Sequence, residues 1–291
     1  MLLPTLPLPS PITLLQRSMT FYRKHAVLNT VTLLFFILPM WMNDILISAQ
    51  NPKHPLWGIG LSGFLERIDR TGTALFIIQI GLGLIVLWGN GCAFVVARRL
   101  LESKAGRARS SLKSVRREAW SIFPSLLLTM LLRGLFIAVL ALIYAIPVLI
   151  GLILSRCIDQ FSLASFTVSG RCAAMPFAFL PLSLPAILYA LATSFAGLIV
   201  VIEGKTLTQA FRRSIVAFKS RFSGTLFRMI GTALLLFIPV ELLRSVLESM
   251  GSDSVSLSLT TSLIANALRG LAIVIFLLTT VELYGVLRNP E

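Results

Sequence analysis

Along the chain, long apolar runs alternate with short polar connections, most of them basic. Six runs stand out, at about 26–47, 71–97, 122–155, 176–202, 223–246 and 262–286. A helix needs about 20 residues to cross a hydrocarbon core roughly 30 Å thick, and every run meets that length. Backbone groups inside lipid must satisfy one another within the segment, so the runs read as helices. The second run carries no charge, and only Arg133 interrupts the third. Pro147 is placed to bend the third, and the segment PFAFLPLSLP (176–185) to break the fourth near the outer leaflet. The predicted fold class is all-α: a polytopic membrane protein with about six transmembrane helices in one integral domain, 1–291.

The basic connections have a pattern of their own. Leu207, Phe211, Ile215, Phe218 and Phe222 recur at helical spacing, with Lys205, Gln209, Arg212, Arg213 and Lys219 on the opposite face. Leu112, Val115, Ala119, Ile122 and Phe123 repeat this against Lys113, Arg116 and Arg117, and Leu15, Met19, Tyr22 and Ala26 give a weaker copy beside Arg17, Arg23 and Lys24. Three amphipathic elbows are therefore predicted, at about 12–25, 108–121 and 205–222. Helices of this kind lie in the headgroup plane with cations toward anionic lipid. On this reading Arg116, Arg117, Arg212, Arg213 and Lys219 hold phosphate headgroups, while Leu112, Trp120, Phe211, Phe218 and Phe222 wedge into the leaflet. GCAFVVARR (91–99) leads to Arg116–Arg117 as FAGLIVVIEGK (195–205) leads to Arg212–Arg213, so the architecture reads as an internal repeat. The plainer alternative is the basic loop found in any inner-membrane protein.

Composition narrows the class. Of 291 residues 56% are hydrophobic and 13% charged, against about 25% charged in soluble domains. That balance excludes a soluble globular enzyme, a disordered chain and a free nucleic-acid binder. The net charge of +14 is unevenly placed: eighteen Lys and Arg fall on the elbow side of the spans and six on the other. By the positive-inside rule both termini are expected in the cytoplasm, in a bacterial inner membrane. Residues 1–10 lack the basic start of a secretory signal, so no cleavage is expected.

The stretch VVIEGKTLTQAFRRSIVAFKSRF (200–222), followed by a span, and the closing TTVELYGVLR (279–288) carry a resemblance. The chain resembles uncharacterised six-span bacterial inner-membrane families, including the membrane domain that precedes some glycerophosphodiester phosphodiesterases. The resemblance implies architecture and no catalytic residues, and a phosphodiesterase domain is not part of this sequence.

Candidate chemistry is sparse. His25 and His54 are the only histidines, and no Cys/His cluster has metal-ligand spacing, so no cofactor is expected. Gly60-Leu61-Ser62-Gly63 has the look of an intramembrane serine protease, but no histidine lies downstream to act as its base. Arg133 and Arg269 each fall about ten residues into a span, where an arginine costs about 2.5–3.5 kcal/mol. Glu203 and Glu282 are their candidate partners; the alternatives are a polar pathway for an anion, or structural pairing. Gly81, Gly83, Gly89 and Gly91 predict close helix approach. Cys157 and Cys172 share the loop between spans three and four and are candidates for a disulfide there. The expected role is a non-enzymatic accessory or scaffold protein, with anionic membrane lipid and a membrane-protein complex as partners and no nucleic acid. The rival is a transporter or channel using Arg133 and Arg269.

Overall fold

Ser10 opens the first helix. Its hydroxyl accepts from the Thr13 amide at 3.1 Å, and Pro11 follows at the position where a missing N–H is harmless. The computed structural model describes residues 8–48, 73–102, 111–154, 158–161, 166–168, 183–250 and 255–288. Helix α1 (Pro11–Lys24) turns at His25 into α2 (Ala26–Ser48), the first span. The second is α3 (Thr73–Glu102) and the third α4 (Leu112–Leu154). Helices α5 (Leu184–Ala192) and α6 (Ala196–Glu203) share the fourth; α7 (Leu207–Ser220) is an elbow, and α8 (Phe222–Met250) and α9 (Val255–Arg288) complete the six. All six are long and apolar enough to cross a membrane. The protein is an all-α, multi-pass integral membrane protein.

Four features differ from the sequence expectation. The second elbow is no separate helix: α4 runs unbroken for 43 residues through Pro124 and Pro147, about 65 Å at 1.5 Å per residue. The fourth span breaks at Thr193–Phe195, well below the proline-rich segment, most of which lies outside the described residues. The last span begins at Val255 and not at 262, and runs for 34 residues. A short antiparallel pair, β1 (Ile158–Phe161) with β2 (Phe166–Val168), follows α4.

Burial is concentrated toward the arginine-rich end. In α3 it runs from Gly91 to Ala97, in α8 it takes Thr225, Met229 and Thr232, and in α6 every residue from Ala196 to Ile202 is buried. A helix apolar on all sides belongs at the centre of a bundle, which is where α6 sits. Toward the other end α4 is exposed on most of its surface, including Leu135, Val139 and Ile143, as a lipid-facing helix is. Three glycines set the closest approaches, and a Cβ on Gly197 would come nearest of all, onto Met130 Cε, the end of a flexible side chain. A Cβ on Gly89 would meet Phe35 Cβ at 2.5 Å, and one on Gly270 would meet Ile37 Cγ1 at 2.9 Å, beside the π turn Leu33–Ile37 in α2. Gly91 faces Leu126, but Gly81 and Gly83 face open space, so half of the predicted glycine contacts are made.

Candidate functional site

The three elbows share a register. Each starts after a hydroxyl residue, Ser10, Ser111 or Thr206, and the seventh residue beyond it carries a charge: Arg17, Glu118 or Arg213. Each elbow packs on the span that returns to its end of the bundle, α1 on α9, the start of α4 on α3, and α7 on α6. Small or short side chains face inward at equivalent positions, Leu14 and Ser18, Val115 and Ala119, Ala210 and Ser214. The chain is thus three elbow–out–back units, with α1 closing the ring on the last span.

Charge pairing follows the register. Glu118 binds Arg98 and Arg99 together; Arg99 Nε donates to its Oε2 at 2.8 Å, and Arg98 reaches across to the Val201 carbonyl at 2.8 Å. In the third unit the signs are reversed. Glu203, with 4% of its side chain exposed, faces Arg213 Nε at 2.8 Å and Arg288 Nε at 3.4 Å, and accepts from the Tyr284 hydroxyl at 2.6 Å. A buried carboxylate with two cationic partners and a hydroxyl donor is strongly held, because charge-assisted hydrogen bonds satisfy its acceptor positions away from water. The Tyr284 hydroxyl and the Glu203 charge push the Arg213 guanidinium up from its ordinary value, while burial opposes them more weakly than the first. In the first unit Arg17 and Glu282 line one pocket of about 490 Å³. Glu282 Oε2 is buried there without a hydrogen bond.

The five predicted headgroup ligands, Arg116, Arg117, Arg212, Arg213 and Lys219, are all exposed. Lys205, Arg212 and Arg213 gather with Gln209 and Val216 around an open pocket of about 290 Å³. Lys219 lies further along the same helix. The predicted leaflet wedge is only partly formed. Phe218 is 2% exposed and packs inside the protein, because α7 covers α6 with this face, whereas Trp120 and Phe222 are exposed. Likewise α1 buries Leu14 and Ser18, one register away from the predicted Leu15 and Met19; Met19 is exposed. Ser18 Oγ and Thr279 Oγ1 are 3.1 Å apart, and Ser214 donates to the Ala192 carbonyl at 2.7 Å, fixing two elbows through side chains the amphipathic pattern ignored.

Neither predicted partner meets the intramembrane arginines. Arg133 donates to the Ala190 carbonyl at 2.7 Å and to Thr193 Oγ1 at 3.2 Å, capping the broken end of α5. A cation at a helix C-terminus meets carbonyls that have no partner within the helix. Arg269 Nε lies 3.4 Å from Glu241 Oε1, and the Asn266 amide donates to Asp44 Oδ2 at 2.6 Å nearby. Sequence spacing missed Tyr284, Arg288, Glu118 and Asp44; the shared position of Arg17, Glu118 and Arg213 after a cap was the available signal. Cys157, Cys172 and the Gly60–Gly63 segment lie outside the described residues. Among the described residues no group of His, Cys, Asp and Glu is arranged to hold a metal ion. No family model matches the chain, and no curated protein or solved structure is significantly similar to it.

Proposed function

We propose that this chain is a non-enzymatic accessory or scaffold protein of a bacterial cytoplasmic membrane, with its arginine-rich end and both termini inside, engaging anionic lipid through the third elbow. The observation that carries the reading is the pocket of Lys205, Arg212 and Arg213. Three cations converge at the edge of the span bundle, and one of them is anchored from behind by Glu203. Such a site offers several charge-assisted donors to one phosphate, each cation near an anionic surface contributing about 1 kcal/mol. The excess of Lys and Arg at this end supports the orientation. The resemblance of residues 200–222 and 279–288 to uncharacterised six-span bacterial families fits the same role, and a membrane-protein partner is part of the proposal.

Transport through a path shared by Arg133 and Arg269 draws less support, since Arg133 caps the break in the fourth span while Arg269 pairs with Glu241. The test uses the full-length protein in nanodiscs with a phosphatidylglycerol fraction. Lys205→Glu and Arg212→Glu are each expected to weaken retention of the anionic lipid at least about fivefold, the equivalent of one cation. Unchanged retention in the double variant overturns the reading.

A further inference from the structure

At the end of the bundle opposite the elbows, an open cavity of about 420 Å³ lies between the first, second and last spans. Its wall carries Asn43 and Asp44 of α2, Gln79 and Gly83 of α3, and Asn266 and Arg269 of α9. None of these residues takes part in the elbow clamps or the elbow pocket.

Two opposite charges meet this space. Asn266, itself 2% exposed, donates from its amide to Asp44 Oδ2 at 2.6 Å and to the Ser262 carbonyl at 2.9 Å. A carboxylate offers about four acceptor positions, and the amide occupies one. Among the described residues Arg269 pairs with Glu241, at 3.4 Å, with 38% and 46% of the two side chains exposed, and Glu241 also lies 3.8 Å from Arg244. A pair that open is weak, and the planar guanidinium retains donors for a second anion.

Depth supplies the next constraint. At 1.5 Å per residue, Asp44 lies about 27 Å along the axis from Ala26, and Arg269 about 28 Å from Arg288. Both distances approach the thickness of a hydrocarbon core, about 30 Å. With Ala26 and Arg288 at the near boundary, the two charges stand at the far one, the level of phospholipid ammonium and phosphate groups, and α9 runs on past it to Val255. Ionisable groups at such a depth are costly unless partnered, and among the described residues these two are incompletely partnered.

We infer that this cavity binds a headgroup carrying both a primary ammonium and a phosphate, the ammonium on Asp44 and the phosphate on Arg269. The amide carbonyls of Asn43 and Gln79 accept further N–H bonds from the ammonium. A trimethylated ammonium has no hydrogens to donate and fits the site less well. The depth makes the source a phospholipid rather than a soluble aminoalkyl phosphate.

Native mass spectrometry of the full-length protein, loaded with equal amounts of phosphatidylethanolamine, phosphatidylcholine and phosphatidylglycerol, tests this. The expected result is retention of phosphatidylethanolamine at least about fivefold above phosphatidylcholine, with phosphatidylglycerol reporting the elbow site. Asp44→Asn removes the preference over phosphatidylcholine, and Arg269→Gln lowers retention of all phosphate headgroups at this site. A Cβ on Gly83, which lines the cavity, would meet no atom within 4 Å, so Gly83→Leu is the variant chosen to fill the space. It is expected to keep the wild-type melting temperature and lose the retained lipid. Displacement by free ethanolamine phosphate would assign the same chemistry to a soluble ligand, and resistance to it assigns the lipid. Lys205→Glu and Arg212→Glu lower phosphatidylglycerol and leave the preference for phosphatidylethanolamine over phosphatidylcholine untouched, which separates this cavity from the elbow site. Equal retention of phosphatidylethanolamine and phosphatidylcholine, or a preference between them that survives in both Asp44→Asn and a folded Gly83→Leu, overturns the inference.

Discussion

Arg213 on the third elbow and Glu203 at the end of the fourth span meet through Nε and Oε2 at 2.8 Å, with the carboxylate almost wholly enclosed. Arg213 thus faces two ways, pinned by Glu203 on one side and lining the cationic pocket on the other. Replacing Glu203 by Gln keeps the volume and removes the charge between two guanidinium groups. The expected loss is about 1.5–3 kcal/mol, the range for hydrogen bonds to charged groups. Thermal unfolding in detergent measures it, and a loss below a few tenths of a kcal/mol would contradict the clamp.

The second clamp has the opposite polarity, so it can be tested by exchange. Glu118→Arg gathers three guanidinium groups beside Ser114 and is expected to lower the melting temperature. Adding Arg99→Glu restores one pair and is expected to recover part of that loss. The coupling between the two changes should lie at about 0.5–3 kcal/mol, as for residues in contact. Strict additivity would show that the ion pair contributes nothing.

The glycines divide by what they face. Gly89→Ala forces a methyl group onto Phe35 and is expected to cost about 1–3 kcal/mol by overpacking. Gly81→Ala enters open space and is expected to be neutral or stabilising, by about 0.5–1 kcal/mol of helix propensity. Melting temperatures of the two variants, measured side by side, check the contrast.

His25, at the turn between α1 and the first span, has its pKa lowered from 6.5, first by burial and then by the neighbouring Lys24 charge. The unfolded chain therefore takes up the proton before the folded one as pH falls. Stability from this group is complete above 6.5 and declines below it. Wild type and His25→Gln are expected to differ in slope between about pH 7.5 and 5.5, above the carboxylate range. Parallel unfolding midpoints across that window would remove the histidine from the account.

The spans were legible because the hydrocarbon core imposes both length and helical backbone, which leaves a run of apolar residues little freedom. The elbow faces were legible only in part. An amphipathic helix has the same periodicity whether its apolar side meets lipid or protein, and Phe218 went to protein because the all-apolar α6 needed covering. The partners of Arg133 could not be read, since one of them is the Ala190 carbonyl, exposed by a helix break that the prolines suggested elsewhere. Glu203 was singled out for its place at a span end, yet its partners Arg213, Tyr284 and Arg288 come from two other elements. Nothing in local sequence joins them.

The docking of α1 on the last span has a consequence for the order of events during synthesis. Ser18 and Thr279 touch across 261 residues, so α1 completes its seat only after the last span has been made. Until then Leu14 and its neighbours lie against lipid or a chaperone, while the second and third elbows settle soon after the spans they follow. Assembly runs forward along these elements and finishes back at α1, and a synthesis stalled before the sixth span would leave the ring open between α1 and α8.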